Sequence, residues 1–301
     1  MTPTALFTLT GNLLAERTLE FSAWSEGQTQ RAQRESFQVG GKGINVAKML
    51  SRLGAPATAI CFAGGASGTE STTWLRTQKF STQIFPTTAA TRLGVVVRGG
   101  GRAETTFLGP DVPPDAKAVQ ACADFLDAQP TGQVLAVCGS LPGWPSSAFD
   151  PLRAALIRWQ SRSTLVADTY GPPLAWMTTQ PLALIKINAI ELRTLAPATS
   201  TPQSTADLLF SVAAGSPVGR WVVTDGAGPI WFKDGAAAPA TVRAIPVKEI
   251  SPTGSGDVLM ACLMASLYLR GSSLADSVTQ ALPYAAANAA HAGVADFPLP
   301  R

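Results

Sequence analysis

Residues 251–265 read Ser-Pro-Thr-Gly-Ser-Gly-Asp-Val-Leu-Met-Ala-Cys-Leu-Met-Ala. Turn-forming residues give way at once to an apolar run, which predicts a tight turn opening directly into a long buried helix. Gly254 and Gly256 let the backbone turn sharply and aim N–H groups outward, and the helix adds the positive end of its dipole. Gly254, Ser255 and Gly256 thereby read as an anion hole, suited to the charge that develops on phosphoryl oxygens during transfer. Asp257, in the first helical turn, stands beside that hole, placed to take a proton from an attacking hydroxyl. The same residues also read as an ordinary helix start with an acid favoured by the dipole, and the turn alone does not separate the two.

A second glycine-rich turn lies far upstream, at Gly40-Gly41-Lys42-Gly43-Ile44-Asn45-Val46-Ala47. Its backbone suits close approach by a polar ligand, and Asn45 can both donate to and accept from sugar hydroxyls. It is not a P-loop, because Ser36 stands where a glycine is required and Gly43 where Ser or Thr must follow the lysine. Nor is it the G-x-G-x-x-G dinucleotide turn. Alone it reads equally as a strand-to-helix connection with a solvated Lys42.

Outward from these turns, short β-rich runs occur at Ala5–Leu9, Thr58–Phe62, Val134–Cys138, Thr164–Asp168, Ala183–Ile187 and Trp221–Thr224. Segments of helical period lie between them, at Ile44–Leu53, Asp115–Leu126, Ser146–Trp159 and Thr205–Ala213. The alternation predicts an α/β fold with a mostly parallel central sheet covered by helices on both faces. Two stretches break it, Leu19–Val39 and Gln83–Leu108, which alternate in polarity around Gly-rich turns with no helix between. They predict a small antiparallel β-sheet that leaves the main sheet and returns to it. The expected organisation is one domain over residues 1–301 with this sheet as a lid, and no linker separates independent units.

Composition excludes several functions. With 301 residues, 46% hydrophobic and 14% charged, the chain can bury a large core and is not a disordered tail. Its 23 Lys and Arg against 20 Asp and Glu are scattered singly, so no nucleic-acid footprint is present. A lone histidine, His291, removes two-histidine zinc sites and HExxH proteases, and no G-x-S-x-G elbow supports a serine triad. Cys61, Cys122, Cys138 and Cys262 sit apart among apolar neighbours and read as buried free thiols in a reducing compartment. The N-terminus lacks a basic signal region, and the longest apolar run, Val258–Leu269, is too short to span a bilayer. A soluble, cytoplasmic protein with no membrane partner is expected, with His291, Trp144, Trp159 and Trp221 in structural roles.

The two glycine-rich turns, GGKGINVAKMLSRLG and SPTGSGDVLMACLMA, together resemble the paired signatures of the phosphofructokinase B (ribokinase-like) sugar kinase family. Shorter matches in order extend the resemblance over nearly the whole chain. They are Asn12–Thr18, Thr91-Arg92, Cys138–Pro142, Ala167–Thr169, Ile185–Glu191 and Val223–Gly228. The resemblance implies a ribokinase-like fold with ATP and Mg²⁺, and gives roles to matching positions. Asp257 becomes the general base, and the amides of Gly254, Ser255 and Gly256 the anion hole. Glu16, Gly41, Lys42, Asn45 and Ser140 would bind the substrate and Arg92 a phosphate already on it; Arg92 and the Lys42-bearing turn favour a phosphosugar over a free sugar. Lys186 and Asn188 would reach the nucleotide phosphates, Thr224 and Gly226 the nucleotide near its phosphates and ribose, and Asn288 and Gly293 the adenine. Glu191 would act on Mg²⁺ through water.

The sequence departs from the family pattern chiefly on the sugar side. Glu16 replaces an Asp, Leu13 and Ile187 replace prolines, and Gly94 stands where Asn is frequent. The Gly-Ser-Leu-Pro turn runs directly into Gly143-Trp144-Pro145, one residue short. The implied function is ATP-dependent phosphorylation of a phosphorylated ketohexose: fructose 1-phosphate, tagatose 6-phosphate or fructose 6-phosphate. Two alternatives stand beside it: a kinase of a free sugar or nucleoside on the same fold, which would not need Arg92, and a non-catalytic sugar-phosphate sensor, which would have no reason to keep Asp257. An exposed apolar face on the lid implies a homodimer joined through it.

Overall fold

The computed structural model describes residues 4–55, 57–196 and 203–300. Its main sheet is built on β1 (Leu6–Thr10), β4 (Ala57–Ala63), β5 (Ser81–Pro86), β8 (Val134–Cys138), β9 (Thr164–Asp168), β10 (Leu184–Asn188) and β11 (Arg220–Thr224). β12 (Ile230–Asp234) and β13 (Ala240–Val242) complete it, in the order β13-β12-β11-β10-β9-β8-β1-β4-β5. Every pairing from β11 to β5 is parallel, and only the β11–β12 and β12–β13 pairs are antiparallel.

Alternation along the central strands sends side chains into two cores. Phe7 and Leu9 of β1, with Leu135 and Val137 of β8, join a cluster with Trp159, Phe149 and Leu126. Leu6, Val134, Ala136 and Cys138 point the other way, into a cluster with Val46, Leu50, Val258 and Leu263. This is why both strands are wholly buried, β8 apolar throughout and β1 interrupted only by the buried Thr8 and Thr10. α3 (Ala116–Asp127) and α4 (Asp150–Gln160) cover the first face. α1 (Lys42–Arg52), α8 (Ser255–Met264) and α9 (Leu274–Ala289) cover the second. α2 (Gly65–Leu75), α5 (Pro172–Met177), α6 (Ala189–Arg193) and α7 (Thr205–Ala214) complete the helices of the described residues. The four cysteines are buried free thiols and the three tryptophans are core residues, as expected. No helix among the described residues is long and apolar enough to cross a membrane.

A second sheet, ordered β3-β2-β6-β7, consists of β2 (Leu14–Phe21), β3 (Arg34–Gly40), β6 (Arg92–Gly99) and β7 (Arg102–Leu108). It differs from the sequence expectation in three respects, the first being that β2 begins at Leu14 rather than Leu19. Ser81–Pro86 pairs with β4 in the main sheet, so the second excursion begins at Arg92 rather than Gln83. The sheet is also not wholly antiparallel, because β2 and β6 run parallel from Leu14↔Arg92 to Phe21↔Gly99. Both strands leave the same end of the main sheet, one after β1 and the other after β5, and so set out in the same direction.

Candidate active site

The chain passes from β1 outward to β4 and β5, then returns to place β8 on the other side of β1. Crevices at such a switch point, beyond the carboxyl ends of parallel strands, are where open α/β sheets bind ligands. Asn12 follows β1, Ser140 follows β8, Asp168 ends β9, Asn188 ends β10 and Thr224 ends β11. All face this one edge.

α8 enters the crevice from Gly254, whose φ of +79° is left-handed and whose missing side chain leaves room for Val294. No side chain caps this helix, nor α1, which starts at Gly41. By contrast α3, α7 and α9 are capped by Asp115, Ser204 and Ser273. Gly256 and Asp257 occupy helix positions whose N–H groups have no partner within the helix, so the dipole end of α8 opens on the crevice. Of the three N–H groups expected to form the anion hole, that of Ser255 is turned back to the Pro252 carbonyl at 3.3 Å.

Asp257 is buried, and its Oδ2 accepts from Asn45 Nδ2 at 2.7 Å, which joins the two glycine-rich turns in one contact. Burial, reinforced by the nearby Asp168 carboxylate, pushes the Asp257 carboxyl up to about 6, against the pull of Lys42, Lys186 and the Asn45 bond. A carboxyl poised there is matched to proton transfer near neutrality.

Asp168 has no exposed surface and receives Lys42 Nζ at 2.7 Å and Lys186 Nζ at 2.8 Å, one on each oxygen. Burial opposes its charge, yet Lys186 and Lys42 hold its carboxyl below the usual range. For Lys42, burial alone would lower the ammonium, but Asp168, Asp257 and Glu191 raise it well above its ordinary value. Lys186 Nζ lies so close to Gly256 that a Cβ there would come within 2.5 Å of it. Two ammonium groups therefore stand beside the open end of α8. Lys42, expected among the substrate-binding residues, belongs to this cluster.

Asn188 and Glu191 form a reciprocal cap on α6, with Glu191 N–H donating to Asn188 Oδ1 and Asn188 N–H to Glu191 Oε2, both at 2.8 Å. Glu191 Oε1 lies 3.5 Å from Lys42 Nζ and keeps acceptor capacity toward the crevice. Among the described residues no group of three acid, histidine or cysteine side chains forms a metal cage. A single carboxylate with spare capacity suits Mg²⁺, which keeps several waters and is held largely by substrate phosphates. Thr224 lies beside Asn188 across β10–β11, and Gly226 is exposed in the turn that follows. Asn288 is placed differently from expectation. It has no exposed surface, and its amide is committed to Thr253 O (2.9 Å), Ser255 Oγ (3.1 Å) and the Ala295 N–H (2.8 Å). It supports the catalytic turn from behind instead of lining an open pocket, and Gly293 bridges to Asp296 in the adjoining segment.

On the other side of the crevice, Arg92 Nη1 donates to Asp111 Oδ1 at 2.8 Å, and Asn12 Nδ2 bridges that same oxygen (2.7 Å) to Ser140 Oγ (2.9 Å). Arg92 lines a recess with Gly11, Asn12, Thr91 and Val112, and its Nε is buried without a partner. Glu16 faces the same way from β2. Its carboxyl accepts from Gln38 and is raised chiefly by burial. Sequence reasoning missed Asp111 and gave Asn12 and Asp168 no role, although Asn12 opens one matching segment and Asp168 was visible as a strand-ending acid.

Comparison with known proteins places the fold in a family. Residues 10–301 match the model of the pfkB family carbohydrate kinases. The 1-phosphofructokinase of Bacillus subtilis is 24% identical over 87% of this chain and 85% of its own length. The D-tagatose-1-phosphate kinase of Bacillus licheniformis is 27% identical over 62% of this chain and 60% of its own. Escherichia coli phosphofructokinase-2, solved in complex with substrates and products, superposes with a TM-score of 0.84 at 23% identity over 95% of this chain and 93% of that one. The fold is ribokinase-like, and the chain belongs to the pfkB family of carbohydrate kinases, enzymes that transfer a phosphoryl group to an alcohol acceptor.

Proposed function

We propose that this enzyme transfers the γ-phosphoryl group of ATP to a free hydroxyl of a phosphorylated ketohexose, with Asp257 as the general base. The observation that carries the reading is the Asn45–Asp257 contact at the open end of α8, with Lys186 against Gly256. It supports the reading because a buried carboxyl, an amide side chain and an ammonium group meet at one point.

Arg92 binds the phosphate already on the sugar, offering a fork that a point-charge lysine would not match. Asn12, Asn45, Ser140, Gly41 and Glu16 hold the hydroxyls. Lys186, Lys42, Asn188, Thr224 and Gly226 receive the nucleotide, and Glu191 would hold Mg²⁺ through water, an ion that would supply charge neutralisation for the nucleotide phosphates. The acceptor oxygen attacks the γ-phosphorus as its proton passes to an Asp257 carboxylate oxygen. The bond to the β–γ bridging oxygen breaks and ADP departs. Gly256 and Asp257 N–H groups and Lys186 meet charge on the transferred group, so the rate comes from alignment and electrostatics. The small sheet serves as a lid that excludes water, and two lids pair in a homodimer. Four buried thiols and an ATP substrate suit a cytoplasmic enzyme.

ADP formation is measured against fructose 1-phosphate, tagatose 1-phosphate, tagatose 6-phosphate, fructose 6-phosphate, free fructose, ribose and adenosine. Turnover is expected on a phosphohexose, with Asp257→Asn lowering kcat by about 10²–10⁴-fold. Arg92→Ala is expected to raise KM for the phosphosugar by about tenfold or more. Turnover confined to free sugars or nucleosides overturns the phosphosugar reading. Tight binding of sugar phosphate with no turnover on any acceptor points to a sensor.

A further inference from the structure

One set of polar contacts joins the small sheet to the catalytic turn, and its two charged members, Glu104 and Arg98, also act on the nearby Glu16 carboxyl. On the crevice side of the β6–β7 hairpin, Glu104 is ion-paired with Arg98, and its side chain is only 10% exposed. Glu104 Oε1 accepts from Ser251 Oγ at 3.1 Å and lies 3.5 Å from Thr253 Oγ1. Arg98 uses its other arm to donate to the Ala292 carbonyl. The hairpin is thus tied to both segments that set the anion hole: the approach through Ser251 and Thr253, and the stretch whose Val294 packs on Gly254. Ser251 is buried, and Thr253 is held from both sides, its carbonyl by Asn288 and its hydroxyl by Glu104. The Glu104 contacts with Arg98 and Ser251 are charge-assisted and partly buried, and so stronger than those of an exposed pair, whereas the Thr253 contact is longer and exposed.

We propose that Glu104 is a positioning residue for phosphoryl transfer. It anchors the turn that leads into Gly254 and, through Arg98, makes the seating of the lid and the shaping of the anion hole one event. This rests on the kinase reading above. Its functional consequence is coupling. The donors reach their working positions only when the lid covers the crevice, so the nucleotide is not committed to water in the absence of acceptor.

The test uses the full chain and four forms: wild type, Glu104→Ala, Glu104→Gln and Glu104→Ala combined with Ser251→Ala. Glu104→Ala is expected to lower kcat about tenfold or more, with KM for ATP and phosphosugar changed by less than about threefold. The ratio of ADP formed to sugar phosphorylated should rise above unity. A partly unfolded preparation would lower kcat but leave that ratio at unity. Glu104→Gln keeps a carbonyl acceptor for the two hydroxyls and should restore most of the coupling. Ser251→Ala should add little to the Glu104→Ala loss, because both remove the same contact. Amide hydrogen exchange reads the latch without turnover: residues 251–256 should exchange faster in Glu104→Ala while β8 is unchanged. If wild type phosphorylates no sugar, the kinase reading falls and exchange still decides the latch. Unchanged exchange at 251–256, exchange raised equally in β8, or wild-type kcat with a ratio of unity each overturns it.

Discussion

Asp257 owes its chemistry to its surroundings. A carboxyl raised to about 6 is protonated below that pH and cannot accept the hydroxyl proton, whereas above it the base is ready. The expected pH profile of kcat/KM is therefore level above about 6 and falls about tenfold per unit below it, where an unperturbed aspartate would hold the rate to near pH 4. Asn45→Ala removes a bond that favours the charged form, so its acid limb should move to higher pH. A limb near 4, or one that stays put in the variant, would show that Asp257 is not the titrating base. Asp257 and Asn45 were legible because each sits in a glycine-rich turn whose chemistry is local. Asp168 and Asp111 were not, because nothing near them in sequence announces a partner. Asp168 acquires its role only when β9 carries it between lysines from α1 and β10. The Asn188–Glu191 spacing of a capping box was in plain view, and it accounts for that pair's structural contacts.

At the scale of the element, α8 shows how a helix can be well formed and still be constrained by what approaches it. Gly256 lies in its first turn in ordinary helical backbone, so alanine is compatible with the helix and should change stability by no more than about 1 kcal/mol. The added methyl meets Lys186 Nζ, which is buried and held on Asp168. Gly256→Ala is expected to displace that ammonium and cut kcat about 10–100-fold, with the thermal midpoint nearly unchanged. A large fall in the midpoint, or full activity, would count against this placing of Lys186. The central strands were legible from their runs of apolar residues, since burial on both faces leaves no room for polar alternation. β12 and β13 escaped notice, and most of β5 was read into the second excursion, because these strands lie at or next to the sheet edges and are only partly buried. The parallel β2–β6 pair was illegible for another reason: strand direction is set by where the two excursions leave the main sheet, which no local pattern records.

For the whole molecule, the small sheet has two unlike faces. Pairing of Glu16 with Gln38 and Gly94 puts Glu16, Gln38 and, by alternation, Arg92 and Arg98 on the crevice side. Leu93, Val95 and Phe107 take the opposite face, where Val95 pairs with Phe107. α2 packs against β2 and β3, with Glu70 reaching Arg17 of β2, but Leu93 and Phe107 remain 59% and 58% exposed. Two adjacent large apolar side chains in water on a protein of low charge content favour covering by a second copy, and a twofold pairing of lids meets the same patch on each protomer. Light scattering on wild type is expected to give the mass of a dimer, twice 31.3 kDa. Phe107→Asp should give a monomer, and because the side chain is already more than half exposed, the fold itself should lose less than about 0.5 kcal/mol. A wild-type monomer, or a dimer indifferent to Phe107→Asp, would place the contact elsewhere or remove it. Should the dimer dissociate while the ADP-to-product ratio stays at unity, coupling of the lid to the catalytic turn is a property of one protomer, as the Glu104 contacts within a single chain require.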